Sequence, residues 1–406
     1  MNMATLAFRN LGRNRLRAAA TVGAMALAGG IMILYSTLVD GIVETIERNV
    51  VEMETGEMQI HSPKYREDPD IYYTVKDPAA LIEKLDAMGY NAAPRLYGFG
   101  LAAAGQASSG VWMKGVDFER EASVTQLQRH ISEGSWLSPG DLKGVVIGKK
   151  LAKSLNAGPG SEIVIVSQAM DGSTANEIFI VRGVLKLVGE GTDRAGVIML
   201  EPVFREVMVM PNGAHQIAVS RRGVVPDMKT AAAQVGAAAA GLETKTWREM
   251  RPVIARMLDI TQVMTTLMLL ITYSAIVMVT LNAMLMNVFE RIPEFGVMKA
   301  VGLSPMRLMG IVLTEAALEA SVACVLACAA GLPLSLYAQS HGIDLSRVST
   351  GISAGGVALD PVWYARVTPG AVLFPLAVLF LVAMLAVIYP GIKAAMINPR
   401  EAIYHR

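Results

Sequence analysis

Residues 263–285 read VMTTLMLLITYSAIVMVTLNAML, an apolar run without a charged side chain. As a helix this run is about 34 Å long, which exceeds the roughly 30 Å hydrocarbon core of a bilayer. Comparable apolar runs are found at 18–38, 308–337 and 371–392. Because backbone polar groups in lipid must be paired within their own segment, we predict a transmembrane helix over each of the four ranges.

The composition of the chain agrees with a membrane protein. Of its 406 residues, 53% are hydrophobic and 17% are charged, and the mean hydropathy is +0.42. Soluble domains carry about 25% charged residues, so this balance argues against a wholly soluble chain. The formal net charge of +1 gives no basic surplus for nucleic acid. Two cysteines are too few for a disulfide framework.

The basic residues of the short segments predict the topology, because cytoplasmic segments are enriched in Lys and Arg. Segments 1–17, 286–307 and 393–406 are basic, whereas the loop 338–370 is not. The basic residues are Arg9, Arg13, Arg15, Arg17, Arg291, Lys299, Arg307, Lys393, Arg400 and Arg406 in the first three segments, and Arg347 and Arg366 in the loop. We therefore expect both termini and 286–307 to be cytoplasmic and the long segment 39–262 to lie outside.

A cleaved signal peptide is an alternative interpretation of the N-terminus. Ala26-Leu27-Ala28 precedes Gly29 in the manner of a cleavage site. The apolar run continues to Leu38, however, which is too long for the apolar region of a signal peptide. This length favours an uncleaved membrane anchor.

The segment 39–262 is predicted to be a soluble domain of mixed α/β structure. Short runs rich in β-branched residues alternate with helical patterns, and glycine-containing turns separate them. The predicted strands are Met58–His61, Val111–Val116, Val145–Ile147, Glu162–Ser167, Glu177–Leu185, Gly196–Leu200 and Gln216–Ser220. The predicted helices are Pro78–Met88, Phe118–Ile131, Lys149–Leu155 and Met228–Ala240. The predicted fold class is a membrane protein with four transmembrane α-helices and a large mixed α/β extracytoplasmic domain.

Motifs that resemble enzyme sites fail in their spacing or in their context. The run 144–150, GVVIGKK, has three residues between its glycines and no Ser or Thr after its lysines, so it departs from a phosphate-binding loop and favours a strand entering a helix. The run 351–355, GISAG, has the spacing of a nucleophile elbow but lies in a loop too short for a hydrolase sheet. The five histidines are scattered, and each lacks the further ligands of a metal site. We expect no catalytic residue, metal or cofactor in this chain.

Two carboxylates, Glu315 and Glu319, lie within the third apolar run. Ionisable residues inside a spanning helix are costly and usually face the bundle interior or a water-filled cavity. Their four-residue spacing places both on one face of the helix. The sequence leaves open whether they form a coupling or gating contact, a proton site, or a structural hydrogen bond to a neighbouring helix.

The segment 286–307, MNVFERIPEFGVMKAVGLSPMR, predicts a short helix between two spans. Pro293 is suited to its first turn and Gly302 to its end, and Ser304-Pro305 begins the next helix. Phe295, Met298 and Val301 form an apolar stripe at a spacing of three. Such a helix lies on the membrane surface or docks into a groove of a cytoplasmic partner, and the sequence does not decide between the two.

Residues 291–302, RIPEFGVMKAVG, followed by Glu315, resemble the signature of FtsX/MacB-type permeases, the membrane subunits of mechanotransmitting ABC transporters. The C-terminal motifs Tyr389-Pro390, Ala394-Ala395 and 399–402 also resemble this family. In the external domain the motifs at 115–117, 133–134 and 146–148 resemble it as well. The resemblance covers essentially the whole chain. It implies that the external domain has the fold of the MacB periplasmic core domain.

The resemblance also implies that the loop helix docks on a cytoplasmic ABC ATPase. The residues that match this coupling motif are Arg291, Glu294, Phe295, Gly296, Lys299 and Gly302. ATP and Mg would then be bound by the ATPase and not by this chain. Because only 17 residues precede the first apolar run, we expect the ATPase to be a separate subunit.

Within the family, the chain looks most like the lipoprotein-releasing LolC/LolE branch. That likeness implies a bacterial inner-membrane protein with two permease protomers, identical or paralogous, and a periplasmic lipoprotein carrier as a further partner. The first and second spans would form a cavity for acyl chains, although ordinary lipid-facing or packing roles are the alternative for each residue. The residues that could line this cavity are Ile31, Leu34, Leu38, Val263, Leu267 and Leu270.

Two other functions stay open for a permease of this family. The first is MacB-like efflux of peptides or drugs. The second is FtsX-like transmembrane signalling to a cell-wall hydrolase, although the external domain of such proteins tends to be smaller. In each case the work is mechanical, and ATP hydrolysis takes place in the partner.

Overall fold

A computed structural model describes residues 15–186, 188–223, 227–344, 353–354, 357–358 and 362–398. The chain divides into two compact units. The helical unit comprises Met1–Glu44, Leu258–Val348 and Pro361–Arg406, and the α/β unit comprises Thr45–Met257 and Ser349–Asp360. Much of the predicted segments 1–17 and 393–406, and most of the GISAG run, lie outside the described residues.

Long apolar helices form the helical unit. In chain order the described α-helices are α1 Arg15–Val50, α2 Pro78–Ala87, α3 Phe118–Val124, α4 Lys149–Leu155, α5 Glu190–Ala195, α6 Glu201–Val207, α7 Met228–Ala238, α8 Trp247–Met250, α9 Pro252–Glu290, α10 Ile292–Ala300, α11 Pro305–His341 and α12 Pro369–Ala395. Helices α1, α9, α11 and α12 are long and apolar enough to cross a membrane. Each of the four predicted apolar runs lies inside one of these helices, which confirms the predicted helical membrane class.

Glycines allow two of the long helices to approach closely. A Cβ atom on Gly29 of α1 would lie 2.8 Å from the Cβ of Ala327 of α11. A Cβ atom on Gly331 would lie 2.8 Å from the carbonyl oxygen of Gly30. Small residues at such contacts are typical of helix packing in membranes, where backbones must come close for van der Waals contact.

The α/β unit is built on a mixed sheet of ten strands. These strands are β1 Met58–His61, β2 Tyr90–Ala104, β3 Ala107–Val116, β4 Ile131–Gly134, β5 Gly144–Ile147, β6 Glu162–Gln168, β7 Thr174–Leu185, β8 Gly196–Leu200, β9 Gln216–Arg221 and β10 Glu243–Thr246. Their order is β10-β1-β9-β2-β3-β8-β5-β7-β4, with β6 paired to β2 and β7. Short strand pairs outside this sheet are β11 Ile343–Asp344 with β14 Val362–Trp363, and β12 Ser353–Ala354 with β13 Val357–Ala358.

The apolar core of the α/β unit lies between the sheet and its short helices. Val146 and Ile147 of β5, Phe179 of β7 and Ile198 of β8 are fully buried in one cluster with Phe204 of α6. A second cluster packs α2 and α7 against β1, β2 and β9. These helices cover apolar strand residues from water, which is the main favourable term in folding such a layered unit.

Every strand predicted from the sequence is found within an observed strand. The prediction missed β2, β4 and β10 and the helices α5, α6 and α8. The predicted helix Phe118–Ile131 is wrong in its second half, because Thr125 is extended and ends α3. A single 3-10 turn, Leu127–His130, follows, and Ile131 then pairs with Leu185 as the first residue of β4.

Candidate functional site

The short helix α10 begins and ends at the residues predicted from the sequence. Pro293 lies in its first turn, where the missing backbone N–H costs nothing. After the helix, Gly302 has φ of +99°, the left-handed region that favours glycine. Its N–H donates to Lys299 O at 3.0 Å, and the N–H of Leu303 donates to Met298 O at 3.0 Å. This pair of bonds is the Schellman pattern, and it stops α10 before Ser304 begins α11.

Arg291, at the start of α10, joins it to α11 through a buried ion pair. Its Nη1 donates to both carboxylate oxygens of Glu315, at 2.8 and 3.0 Å. Its Nε donates to Glu294 Oε2 at 3.2 Å, and its guanidinium lies 4.9 Å from the ring centre of Phe295. Arg291 and Glu315 are 8% and 3% exposed. These bonds agree with one alternative left open for Glu315, a structural hydrogen bond to a neighbouring helix, and the coupling contact and the proton site stay predictions.

Lys299 joins the other end of α10 to the C-terminus of α12. Its Nζ donates to the carbonyl oxygens of Ala395, at 2.8 Å, and Ile397, at 2.7 Å. These carbonyls belong to the last turn of α12 and the residues after it, where an α-helix leaves acceptors unpaired and where a cation is favoured by the helix dipole. Arg291 and Lys299 therefore hold α10 against two different long helices.

The apolar stripe predicted on α10 is split by the structure. Phe295 is fully buried among Met284, Val288, Leu308 and Val312, whereas Val301 is 85% exposed. A spacing of three residues turns the side chain by about 60° at each step, because a helix rotates roughly 100° per residue. Three such positions thus run from the buried face of α10 to the exposed one and do not form a single contact surface.

The exposed apolar surface of this loop contains Val301 of the predicted stripe, and its other residues lie outside that stripe. Val297 and Val301 are four residues apart and are 54% and 85% exposed, and Met306 at the start of α11 is 77% exposed. Pro293 and Ala300 are exposed beside them. The four-residue spacing of Pro293, Val297 and Val301 was a sequence signal for this face. We call these five residues the loop surface.

The predicted coupling residues thus divide into two groups. Glu294 is half-buried and Gly302 is exposed, so both are within reach of a partner. Arg291, Phe295 and Gly296 are buried, and the half-buried Lys299 is hydrogen-bonded to the end of α12, so these four residues hold the loop in place within this chain. The second intramembrane carboxylate, Glu319, is also buried.

The six residues predicted to line a substrate cavity all leave apolar surface uncovered in the single chain. Ile31 of α1 and Val263, Leu267 and Leu270 of α9 are 45–56% exposed. Leu34 and Leu38 of α1 are half-buried. On membrane-spanning helices such surface contacts lipid, another protomer or an apolar ligand. Their role as a cavity stays a prediction.

The fold accounts for one of the two sequence runs that resemble incomplete enzyme sites, whereas most of the GISAG run lies outside the described residues. The GVVIGKK run forms β5 and the first residues of α4, as a strand followed by a helix. Among the described residues, no cluster of three or more His, Cys, Asp or Glu side chains is placed to hold a metal ion. Cys324 and Cys328 of α11 are both free thiols.

The fold and the loop geometry define a multi-span membrane protein with a large mixed α/β unit inserted after its first span. Residues 18–238 match the MacB-like periplasmic core domain, and residues 266–399 match the FtsX-like permease C-terminal domain. The chain therefore belongs to the family of permeases with a MacB-like periplasmic core domain. Permeases of this family are components of ABC transporters and work with a cytoplasmic ABC ATPase.

Solved structures of similar proteins come from both MacB and another ABC-type transporter. The periplasmic region of MacB from Actinobacillus actinomycetemcomitans has 13% identity and a TM-score of 0.38, over 52% of this chain and 98% of that one. The extracellular domain of the noncanonic ABC-type transporter YknZ from Gram-positive bacteria has 14% identity and a TM-score of 0.32, over 45% of this chain and 94% of that one. No curated protein matches this chain significantly.

Proposed function

We propose that this chain is the permease subunit of a mechanotransmitting ABC transporter that extracts lipoproteins, or a similar amphiphile, from the bacterial inner membrane. The observation that carries the proposal is the loop surface, an exposed apolar face on a helix that ion pairs and hydrogen bonds hold firmly. An exposed apolar face on a well-anchored helix is suited to docking into a groove of another protein.

The anchoring contacts suit a part that transmits force. A push on α10 reaches α11 through the Arg291–Glu315 pair and reaches α12 through Lys299 and the carbonyls of Ala395 and Ile397. Both contacts use a charged group, so they resist displacement more strongly than neutral hydrogen bonds. In the proposed mechanism the partner ATPase binds ATP and Mg, closes, and moves α10 together with these two helices.

We propose the topology from the distribution of basic residues. The segments 1–17, 286–307 and 393–406 would be cytoplasmic, and the α/β unit would be periplasmic. The ATPase would be a separate chain that docks on the loop surface with Glu294 and Gly302 at its edge. A second protomer, identical or paralogous, would complete the transporter.

The apolar surface on α1 and α9 supports an amphiphile as the substrate. Ile31, Val263, Leu267 and Leu270 expose apolar side chains on these helices. In the assembled transporter they would form, with the second protomer, a cavity for acyl chains. A periplasmic carrier would then take up the released lipoprotein.

The docking step is tested by the double variant Val297→Ser, Val301→Ser, which makes the loop surface polar without touching the buried contacts. We expect the permease-stimulated ATPase rate in proteoliposomes to fall at least tenfold and co-purification of the ATPase to be lost. The matched control is Leu142→Ser, Val166→Ser, two exposed apolar residues of the α/β unit, which should change neither. Unchanged stimulation in the loop variant would refute docking at this surface.

The substrate is tested in the same proteoliposomes with a triacylated lipoprotein and its non-acylated form. ATP-dependent release of the acylated form alone supports lipoprotein extraction. Transport of a soluble peptide or drug without lipoprotein release would establish efflux in its place. Activation of a cell-wall hydrolase without transport would establish signalling.

A further inference from the structure

Polar and aromatic side chains replace aliphatic ones on part of one face of the large sheet. The register pairs Gln216 of β9 with His61 of β1 on one side and with Arg95 of β2 on the other. Tyr97 of β2 pairs with Lys114 of β3. These four strands are neighbours in the sheet, and Tyr97 lies two residues after Arg95 on the same face of β2, so the side chains form one continuous patch. A sheet face that packs on a core carries apolar side chains, so the polar residues on this part of the face have a role other than core packing.

Four of these residues, His61, Gln216, Tyr97 and Lys114, form the floor of a cleft of about 600 Å³ that lies wholly within the α/β unit. Its size is in the range of pockets that hold small molecules, roughly 300–1,000 Å³. Aromatic rings form much of its wall. The rings of Tyr97 and Trp112 lie 6.0 Å apart, and Tyr65 is stacked on His61 at 6.0 Å. Such walls offer apolar contact area at low conformational cost.

The floor of the cleft carries an excess of positive charge. Glu121 of α3 accepts hydrogen bonds from Arg95 at 3.0 and 2.8 Å and from Lys114 at 2.9 Å. All three side chains are at most 4% exposed, so two buried cations share one carboxylate. Arg66 and Arg251 line the cleft as well, and Glu54 forms an ion pair with Arg251. The cations that line the cleft or lie beneath it therefore outnumber the carboxylates, Glu54 and Glu121.

The protonation states of the cluster agree with this charge count at neutral pH. Burial, and then the charge of Arg95, lower the pKa of Lys114 to about 8, so the amine is still mostly an ammonium at pH 7. Burial alone would raise the pKa of Glu121, but Arg95 and Lys114 hold it far below its usual range. The carboxylate is therefore charged at every pH near neutrality.

Two side chains on the floor of the cleft have N–H groups that can donate further hydrogen bonds. Gln216 is 6% exposed, and its Nε2 atom has no hydrogen-bond partner among the described residues. The ammonium of Lys114 has three N–H groups, of which one is directed to Glu121. A buried amide N–H without an acceptor is unfavourable, so an acceptor bound in the cleft would relieve that cost.

We propose that this cleft binds a small anionic amphiphile, with its carboxylate or phosphate group at Lys114 and Gln216 and its apolar body against Tyr65, Tyr97 and Trp112. The buried cations attract one negative charge, the free amide N–H supplies a directional donor, and the aromatic walls cover the apolar body. The site is distinct from the loop surface. Ligand binding in this cleft does not depend on the proposed coupling to an ATPase.

Binding is tested by isothermal titration calorimetry on the full chain in phosphatidylcholine nanodiscs, in the absence of any ATPase. The probes are 2-naphthoate, 2-naphthyl phosphate and the neutral 2-naphthamide, which share one apolar body. We expect saturable binding of one or both anions and at least tenfold weaker binding of the amide. The preferred anion identifies the head group as a carboxylate or a phosphate. Equal affinity for all three probes, or binding of none, would overturn the proposal.

Variants assign the binding to this cleft. Gln216→Leu removes the free donor without breaking an ion pair and should weaken anion binding at least fivefold, and Trp112→Ala should weaken all probes. Lys114→Met should abolish anion binding, with thermal unfolding recorded to establish that it folds. The matched control Lys143→Met breaks an exposed lysine–glutamate pair with Glu177 in the same unit and should bind like the wild type. Wild-type affinity in Gln216→Leu and Trp112→Ala would refute this location whatever the fate of Lys114→Met.

Discussion

His215 is a buried histidine whose hydrogen bonds depend on the protonation state of its ring. Its Nδ1 accepts a hydrogen bond from the backbone N–H of Tyr97 at 3.0 Å, and its Nε2 lies 3.0 Å from the carbonyl oxygen of Ile71. Since Nδ1 accepts, Nε2 must carry the proton and donate to Ile71. The contact with Tyr97 requires the neutral imidazole, because a protonated Nδ1 cannot accept a hydrogen bond, whereas Nε2 can donate to Ile71 in either protonation state. Burial lowers the pKa of His215 to about 4, in agreement with this geometry.

This arrangement predicts that acid destabilises the α/β unit. In the unfolded chain the imidazole takes up a proton below about pH 6.5, whereas in the folded chain it stays neutral down to about pH 4. The stabilisation is therefore complete above pH 6.5 and is lost as the pH falls towards 4, by about 3 kcal/mol for this histidine. His61, whose pKa is also lowered to about 4, by burial and by Arg66, acts in the same direction.

The measurement is thermal unfolding of the full chain in nanodiscs at pH 7 and pH 4.5. His215→Gln should lower the melting temperature at pH 7, because two hydrogen bonds are lost, but should reduce the further drop at pH 4.5. The control is His130→Gln, a half-buried histidine, which should keep the wild-type drop. An unchanged acid sensitivity in His215→Gln would contradict the assignment.

The Arg291–Glu315 pair illustrates what a sequence does and does not specify about a single residue. Both side chains were visible as candidates, Glu315 because a carboxylate inside a spanning helix is costly. Their partnership was not visible, because the two residues lie 24 positions apart on different helices. Which groups meet depends on how α10 and α11 pack, and local spacing carries no information about that.

At the scale of elements, the ends of α10 were predictable and its faces were not. Pro293, Gly302 and Ser304 act through their own backbone geometry, so their roles follow from local sequence. The orientation of the helix depends on Phe295, which enters an apolar cluster supplied by α9, α11 and α12. Residues distant in sequence therefore determine which face of α10 is buried, and the loop surface is on the face that they leave exposed.

Strand β2 was missed for a related reason. Its sequence contains Pro94, Gly98 and Gly100, which have low strand propensity. The glycines are required by close neighbours, since a Cβ atom on Gly100 would lie 2.6 Å from the carbonyl oxygen of Val166 in β6. Pairing with β3, β6 and β9 supplies the stability that local propensity does not.

The end of α10 gives a prediction at this scale. Gly302 has φ of +99° and open space around its missing Cβ, so a side chain there meets backbone strain and no clash. We expect Gly302→Val to cost about 1–2 kcal/mol locally and to loosen the loop surface. In proteoliposomes with the ATPase this should lower substrate released per ATP hydrolysed severalfold, with a smaller effect for Gly302→Ala.

The matched control for this element is Gly158→Val in the α/β unit. Gly158 also has open space around its missing Cβ, but it does not have the positive φ of Gly302. The Gly158→Val variant should leave the amount of substrate released per ATP hydrolysed unchanged. Equal ratios for Gly302→Val and the wild type would show that the turn after α10 takes no part in coupling.

At the scale of the whole molecule, the sequence identified the membrane helices more surely than any site. Four apolar runs were sufficient because spanning a bilayer imposes a length and a composition on each helix separately. The ten-stranded sheet was predicted only in part, since its order depends on pairings between distant strands. The anion cleft was not foreseen at all, because its residues come from several separate strands and loops.

We expect the loop surface and the α/β unit to lie on opposite sides of the membrane. The basic segments predict a cytoplasmic α10 and a periplasmic α/β unit. In a background of Cys324→Ala and Cys328→Ala, single substitutions Ala300→Cys and Ser173→Cys place a thiol at an exposed position in each. A membrane-impermeant maleimide should label the Ser173→Cys protein in intact spheroplasts and the Ala300→Cys protein only in inverted vesicles. Labelling of both from the same side would contradict the topology, and with it the proposal that an ATPase in the cytoplasm acts on a substrate outside.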